Sequence, residues 1–152
     1  MAGKLHKHPV LREAFPALTH LNHGITSPVD LSYNCVAWAL NDNARWWWPD
    51  PMGVYFWPTN APRAVTIEAF DRMLRQIGFS PCVRHTIEKG IHKVALYARA
   101  GVPTHIAKQL PKGKWSSKLG QHEDIEHTIE ALDGPKYGSV CQVYARPQRS
   151  NP

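Results

Sequence analysis

Apolar positions change period about halfway along the chain. In the first half, Ile67, Phe70, Met73, Leu74 and Ile77 recur at helical spacing, and Gly78 stands where such a helix would stop. An amphipathic helix is predicted there. Upstream, Asp30 or Ser32 offers an N-cap to the good helix formers that come after it, which predicts a helix over about residues 33–41 with Cys35 in its first turn. Beyond residue 90 the pattern turns to short strand-like runs: residues 90–99, then a Gly/Pro turn, residues 104–110, a hairpin-like connection, and residues 115–119. These three predict an antiparallel meander. Glu123 and Asp124 are expected to open a short helix with Ile125, Ile129 and Leu132 on one side, ended by Gly134-Pro135, and residues 139–145 to add a last strand.

The remaining segments carry no sustained period. Residues 1–30 read as a wrapping arm with one short helical candidate around residues 10–15, and residues 147–152 as a disordered tail. Between them lies a Trp-rich stretch, residues 44–62, in which Pro49, Pro51, Pro58 and Pro62 forbid a long regular element. No interior linker or repeat divides residues 1–152, so a single domain of α+β class is expected, a helix bearing Cys35 packed on a small antiparallel sheet.

Composition narrows the compartment and the partners. With 152 residues and 43% hydrophobic content the chain can bury a real core, and no apolar run is long enough to span a bilayer. Three cysteines, Cys35, Cys82 and Cys141, are too few to staple such a domain, which predicts reduced thiols and a cytoplasmic location with no membrane role. The net charge of +6 favours acidic partners, but Lys and Arg are scattered, which argues against nucleic acid as the main ligand. Nothing in the sequence sets an oligomeric state.

Two residues stand out as chemistry. A cysteine in a helix's first turn feels the positive end of the dipole, which favours its thiolate; a buried structural cysteine is the competing reading for Cys35. His105 comes after a Gly/Pro turn at the mouth of a strand, where an imidazole could take the thiol proton and return it to a leaving amine. Metal ligation is not expected: Cys82, His85 and His92 lack a matching second pair, and His122 and His127 miss the i, i+4 register, leaving His127 as a solvated residue on its helix. No cofactor is implied, since no Gly-rich phosphate loop or Gly-x-Ser-x-Gly elbow is present.

The order of a Cys at a helix start, a long connection, then a His opening a strand of a meander resembles the papain-like cysteine hydrolases, especially the NlpC-type and CHAP-type members. The matching parts are residues 33–40, Tyr-Asn-Cys-Val-Ala-Trp-Ala-Leu, and residues 104–107, Thr-His-Ile-Ala. The chain resembles more closely a group of uncharacterised bacterial proteins sharing that first stretch, Trp-Trp-Trp-Pro at residues 46–49, and Trp-Ser-Ser-Lys-Leu-Gly at residues 115–120. The papain-like resemblance implies a papain-like fold and hydrolysis or acyl transfer on amide bonds, peptide or peptidoglycan-like, through a thioester, with Cys35 as nucleophile and His105 as base. It also implies a third, orienting residue. Where the family has His, Asn, Asp or Gln this chain has Ser116 and Ser117, so Asp124 is the expected carboxylate, with Gln109 on the same strand face as His105. Asn34 is expected to help bind an oxyanion, and Trp47 and Trp48, with Trp46 and Trp57, to wall a substrate cleft. Ser117 and Gln109 complete the expected substrate contacts. The rival readings are a non-catalytic binding module using the tryptophan loop and basic surface, and an exported effector with the same catalytic residues.

Overall fold

A computed structural model of the chain describes residues 13–19, 21–27, 30–119 and 124–148. Its framework is one seven-stranded sheet, antiparallel at each pairing. The strands are β1 (His23–Ser27), β2 (Ser80–Cys82), β3 (Ile91–Arg99), β4 (Val102–Gln109), β5 (Trp115–Lys118), β6 (Asp124–His127) and β7 (Ser139–Pro147), in the order β1-β6-β5-β4-β3-β7-β2. Among the described residues, the helices α1 (Cys35–Ala39) and α2 (Ile67–Gln76) and a 3-10 turn at Ile129–Leu132 accompany the sheet.

The α+β, papain-like architecture expected from the sequence is therefore corrected to an all-β-like fold. Two local outcomes account for the difference. The first helix stops after five residues because Asn41 turns left-handed, at a φ of 63°, just past its end. Residues 124–127, expected as a helix start, extend instead: Ile125 is flanked by Ile25 on β1 and Ser117 on β5, so a β-branched side chain is buried between two neighbours. The β3–β4–β5 meander is present as read, and β1 lies within the stretch expected to be a wrapping arm. The helical candidate near residues 10–15 and the last tail residues fall largely outside the described residues.

Each face of the sheet carries its own core. On one face Val94, Leu96, Ile106 and Tyr144 pack under α1 and α2 through Val36, Ala37, Phe70, Met73 and Leu74. On the other, Ala95, Tyr97, Ala107, Trp115, Ile125 and Val143 meet Phe15, Leu132 and Tyr137. The α2 helix begins where the Thr66 hydroxyl accepts the Ala69 N–H at 3.1 Å, and ends before Gly78, whose φ of 101° suits glycine. The β3–β4 hairpin turns through Ala100 and Gly101, both at positive φ.

One ladder near the centre of the sheet is short. Strands β4 and β5 pair only at Lys108–Ser116 and Gln109–Trp115, so the two halves of the sheet part beyond Ala107, alongside His105 and Ile106.

Candidate functional site

The parting between β4 and β5 is filled by polar side chains. His105 Nε2 lies 2.8 Å from Ser117 Oγ, and the same hydroxyl lies 2.7 Å from His127 Nε2. His127 Nδ1 is 2.6 Å from the Thr128 carbonyl. All three side chains are buried.

The proton positions in this chain are set from its end. A carbonyl can only accept, so His127 Nδ1 carries the hydrogen, and in neutral His127 the Nε2 is a lone pair. Burial pulls His127 down to about 4, so neutral is its state near pH 7. Ser117 Oγ–H must then donate to His127, which leaves the Ser117 oxygen to accept from His105 Nε2–H. Burial, and then the neighbouring His127, hold His105 well below the ordinary histidine value, so it too is neutral. Its Nδ1 is thus a bare lone pair, and it is buried without a hydrogen-bond partner.

Tyr137 fixes the imidazole from one side, its ring parallel to His105 at 4.2 Å between centroids, while Tyr97 meets it edge-on at 5.4 Å. Tyr137 is carried in a tight loop closed by paired backbone bonds between Gly134 and Gly138. Gly138 has a φ of 74°, and a Cβ there would collide with the Ala98 carbonyl, so only glycine brings the loop this close to β3.

Cys35 arrives from the opposite face as the first residue of α1. Its sulfur faces the backbone N–H of Ile106, the residue after His105, and burial first, then Cys35, raises the Tyr137 hydroxyl. No hydrogen bond joins Cys35 to His105. The thiol is 7% exposed, and burial pushes it up to about 11 despite the amides of Ile106 and Val36. The dipole-activated thiolate expected from the sequence is therefore overturned: desolvation outweighs a helix of five residues.

The other expected site residues are engaged elsewhere. Asp124 does not meet the imidazole; its Oδ2 accepts from the Tyr33 hydroxyl at 2.7 Å. Asn34 caps α1, its Oδ1 accepting from Ala37 N–H and Trp47 N–H while its Nδ2 donates to the Trp47 carbonyl at 2.7 Å. Those bonds commit its oxygen and one of its two Nδ2 hydrogens to the backbone, on a buried side chain. Trp47 and Trp57 are core, and Trp48 packs on Phe70, so the expected aromatic wall is not formed. Trp46, stacked on Tyr55 at 5.6 Å, is half-buried, and the exposed apolar side chains of that stretch are Met52, Val54 and Tyr55. Gln109 Nε2 donates to the His85 and Gly113 carbonyls and pins the β4–β5 connection. Ser117 does reach His105, as a relay partner rather than a substrate contact.

His127 is the functional residue that sequence reasoning misses. Expected as a solvated residue on a helix, it is fully buried on β6. A period of two is the signal that finds it, since Trp115 and Ser117 on β5 face His127 and Ile125 on β6. Among the described residues, no group of three or more His, Cys, Asp or Glu side chains is arranged to hold a metal ion, and no helix is long and apolar enough to cross a membrane.

These features define a single-sheet domain with a buried thiol and a neutral histidine–serine–histidine chain at a break in the sheet. The chain belongs to the family described as DUF7689, a domain of unknown function, whose model matches residues 24–145. No curated protein and no solved structure matches it.

Proposed function

We propose that the protein is a cysteine-dependent hydrolase or acyl transferase acting on amide bonds, with Cys35 as nucleophile and His105 as base. The observation that carries this reading is the lone pair of His105 Nδ1, fixed by the Ser117–His127 chain, one residue from the amide that faces the Cys35 sulfur. A neutral thiol and a neutral imidazole are the protonation states from which general-base attack starts once the two groups meet.

In that reaction the thiol proton passes to His105 Nδ1 as sulfur bonds the carbonyl carbon. The imidazolium then protonates the leaving amine, the C–N bond breaks, and a thioester remains on Cys35. Water, or an acceptor amine, then gives a proton to His105 as it bonds the thioester carbonyl carbon; the C–S bond breaks, the acid or new amide leaves, and the imidazolium returns the proton to sulfur. Ser117 and His127 orient the ring throughout; being neutral, they supply direction and no counter-charge. Burial holds the imidazole well below its ordinary value, so substrate entry must open the seam, after which His105 rises towards a useful base strength.

The burial of Cys35 favours a second reading, a binding module with no chemistry at sulfur. Intact-mass analysis after exposure to p-nitrophenyl acetate separates the two. The enzyme reading expects one acetyl group mapped to Cys35, absent in Cys35→Ala and slowed about a hundredfold in His105→Ala, the usual contribution of a general base. Ser117→Ala is expected to slow acylation less and to shift its pH profile. Acetyl groups confined to Cys141 or surface lysines would overturn the enzyme reading.

A further inference from the structure

Packing accounts for the Tyr137 ring but not for its hydroxyl. The ring lies parallel to His105, 4.2 Å away with 7° between the planes, and leans on Phe15 and Tyr97, contacts that a phenylalanine would make as well. The residue is buried, and its backbone carbonyl accepts from Thr104 Oγ1 at 2.6 Å, which ties it to the position beside His105 on β4. Among the described residues no group hydrogen-bonds its hydroxyl. A buried O–H without a partner costs stability, so an acceptor that arrives later gives the oxygen its purpose.

Neighbouring hydroxyls are committed. Ser117 donates to His127, Thr104 to the Tyr137 carbonyl, Tyr97 to the Ile129 carbonyl at 2.7 Å, and Tyr33 to Asp124. The two stacked rings thus carry one open atom each, and the pair is complementary: His105 Nδ1 can only accept, while Tyr137 Oη has a hydrogen to give. Burial first, then Cys35 and Tyr97, hold the Tyr137 hydroxyl well above the ordinary tyrosine value. It therefore stays an O–H donor throughout the range in which a thiol attacks a carbonyl.

We propose that Tyr137 is a catalytic residue of the thiol chemistry, its hydroxyl donating to the carbonyl oxygen of the substrate and holding the oxyanion that forms as Cys35 attacks. The inference rests on the reading of Cys35 as nucleophile and His105 as base. It supplies an oxyanion donor where Asn34 is engaged in capping α1. Sulfur bonds the carbonyl carbon, the thiol proton goes to His105 Nδ1, and the C=O π pair moves onto oxygen, where the Tyr137 O–H meets it. The pair returns to the C–O bond as the C–N bond breaks, and the tyrosine keeps its proton throughout.

The test compares two electrophiles on the full chain, with each modified peptide mapped by mass. p-Nitrophenyl acetate builds an oxyanion on its carbonyl; iodoacetamide alkylates sulfur by displacing iodide and builds none. Tyr137→Phe keeps the ring and removes one oxygen. Acetylation of Cys35 should therefore slow about a hundredfold, the loss typical of one oxyanion donor, while its alkylation at the same pH changes by less than about twofold. Equal slowing with both reagents, or slowing with neither, would overturn the role of Tyr137, and a wild-type Cys35 acetylated through His105 would still stand as nucleophile. A wild-type Cys35 that takes no acetyl group removes the nucleophile, and this role with it. Should Tyr137→Phe melt early, the wild-type chain decides alone, with p-nitrophenyl thionoacetate, whose C=S sulfur accepts a hydrogen bond poorly. Measured against N-acetylcysteine in solution, Cys35 should react with it about tenfold or more slower than with the oxygen ester, and no such discrimination overturns the role.

Discussion

The hydroxyl of Tyr33 donates to Asp124 Oδ2 at 2.7 Å, tying the residues just ahead of α1 to the start of β6 across ninety-one positions of sequence. This bond explains why Asp124 is not the orienting carboxylate of a histidine. It lies on the α1 face with Tyr33 and Lys118, whose ammonium is 5.2 Å from the Tyr33 ring, while His105 projects to the other face. Tyr33→Phe should therefore lower stability by about 1.5–3 kcal/mol, the range for a buried hydrogen bond to a charged group. Urea unfolding measures the loss. If Asp124 instead served His105, Tyr33→Phe would leave stability unchanged while altering the His105 ring signals.

Local signals and distant ones divide the legible from the illegible. The α2 helix is readable because five apolar residues keep one helical face and Gly78 ends it, all of it local information. The meander is readable for the same reason, from runs and turns. Residues 124–127 are not, because acidic residues before Ile125 satisfy helix-start rules as well as strand rules. Only the neighbouring strands β1 and β5, distant in sequence, decide for the strand. That ambiguity conceals His127, and with it the relay. Cys35 and His105 can be picked out by residue type, but their faces, their burial and the direction of the thiol shift depend on the break between β4 and β5, for which no local signal exists.

The depressed histidines set a pH dependence of stability. His105, His127 and His92 all have folded values below the ordinary one, through burial first, with His127 and His92 at about 4. Between 6.5 and 4 the unfolded chain takes up protons at these positions that the folded chain refuses. Stability is thus full above 6.5 and falls as pH drops through this window, by on the order of 3 kcal/mol from His127 alone. The lowered carboxylates, Asp42 and Asp50 among them, act only further down, from 3.8. Urea midpoints at about pH 7 and about pH 4.5 test the expectation. His127→Gln should flatten the slope. A midpoint that stays level or rises on acidification would show that these rings are not buried neutral.

The three thiols should differ in reactivity in an order that the folded chain alone imposes. Cys141 is exposed, Cys82 half-buried and Cys35 buried, and burial is the first cause of the upward shift in each. Because the thiolate is the species that alkylates, iodoacetamide at neutral pH should modify Cys141 first and Cys35 last. The Cys35 rate should climb with pH towards about 11, and the three rates should converge in urea. Mass mapping of the modified peptides reads all three at once. Cys35 reacting first below neutral pH would mean that an ion pair with His105 forms in solution, which requires the two faces to meet through the break in the sheet. The neutral, sealed arrangement would then be the resting partner of an open one, and His105→Ala should abolish the fast phase while leaving Cys141 unaffected.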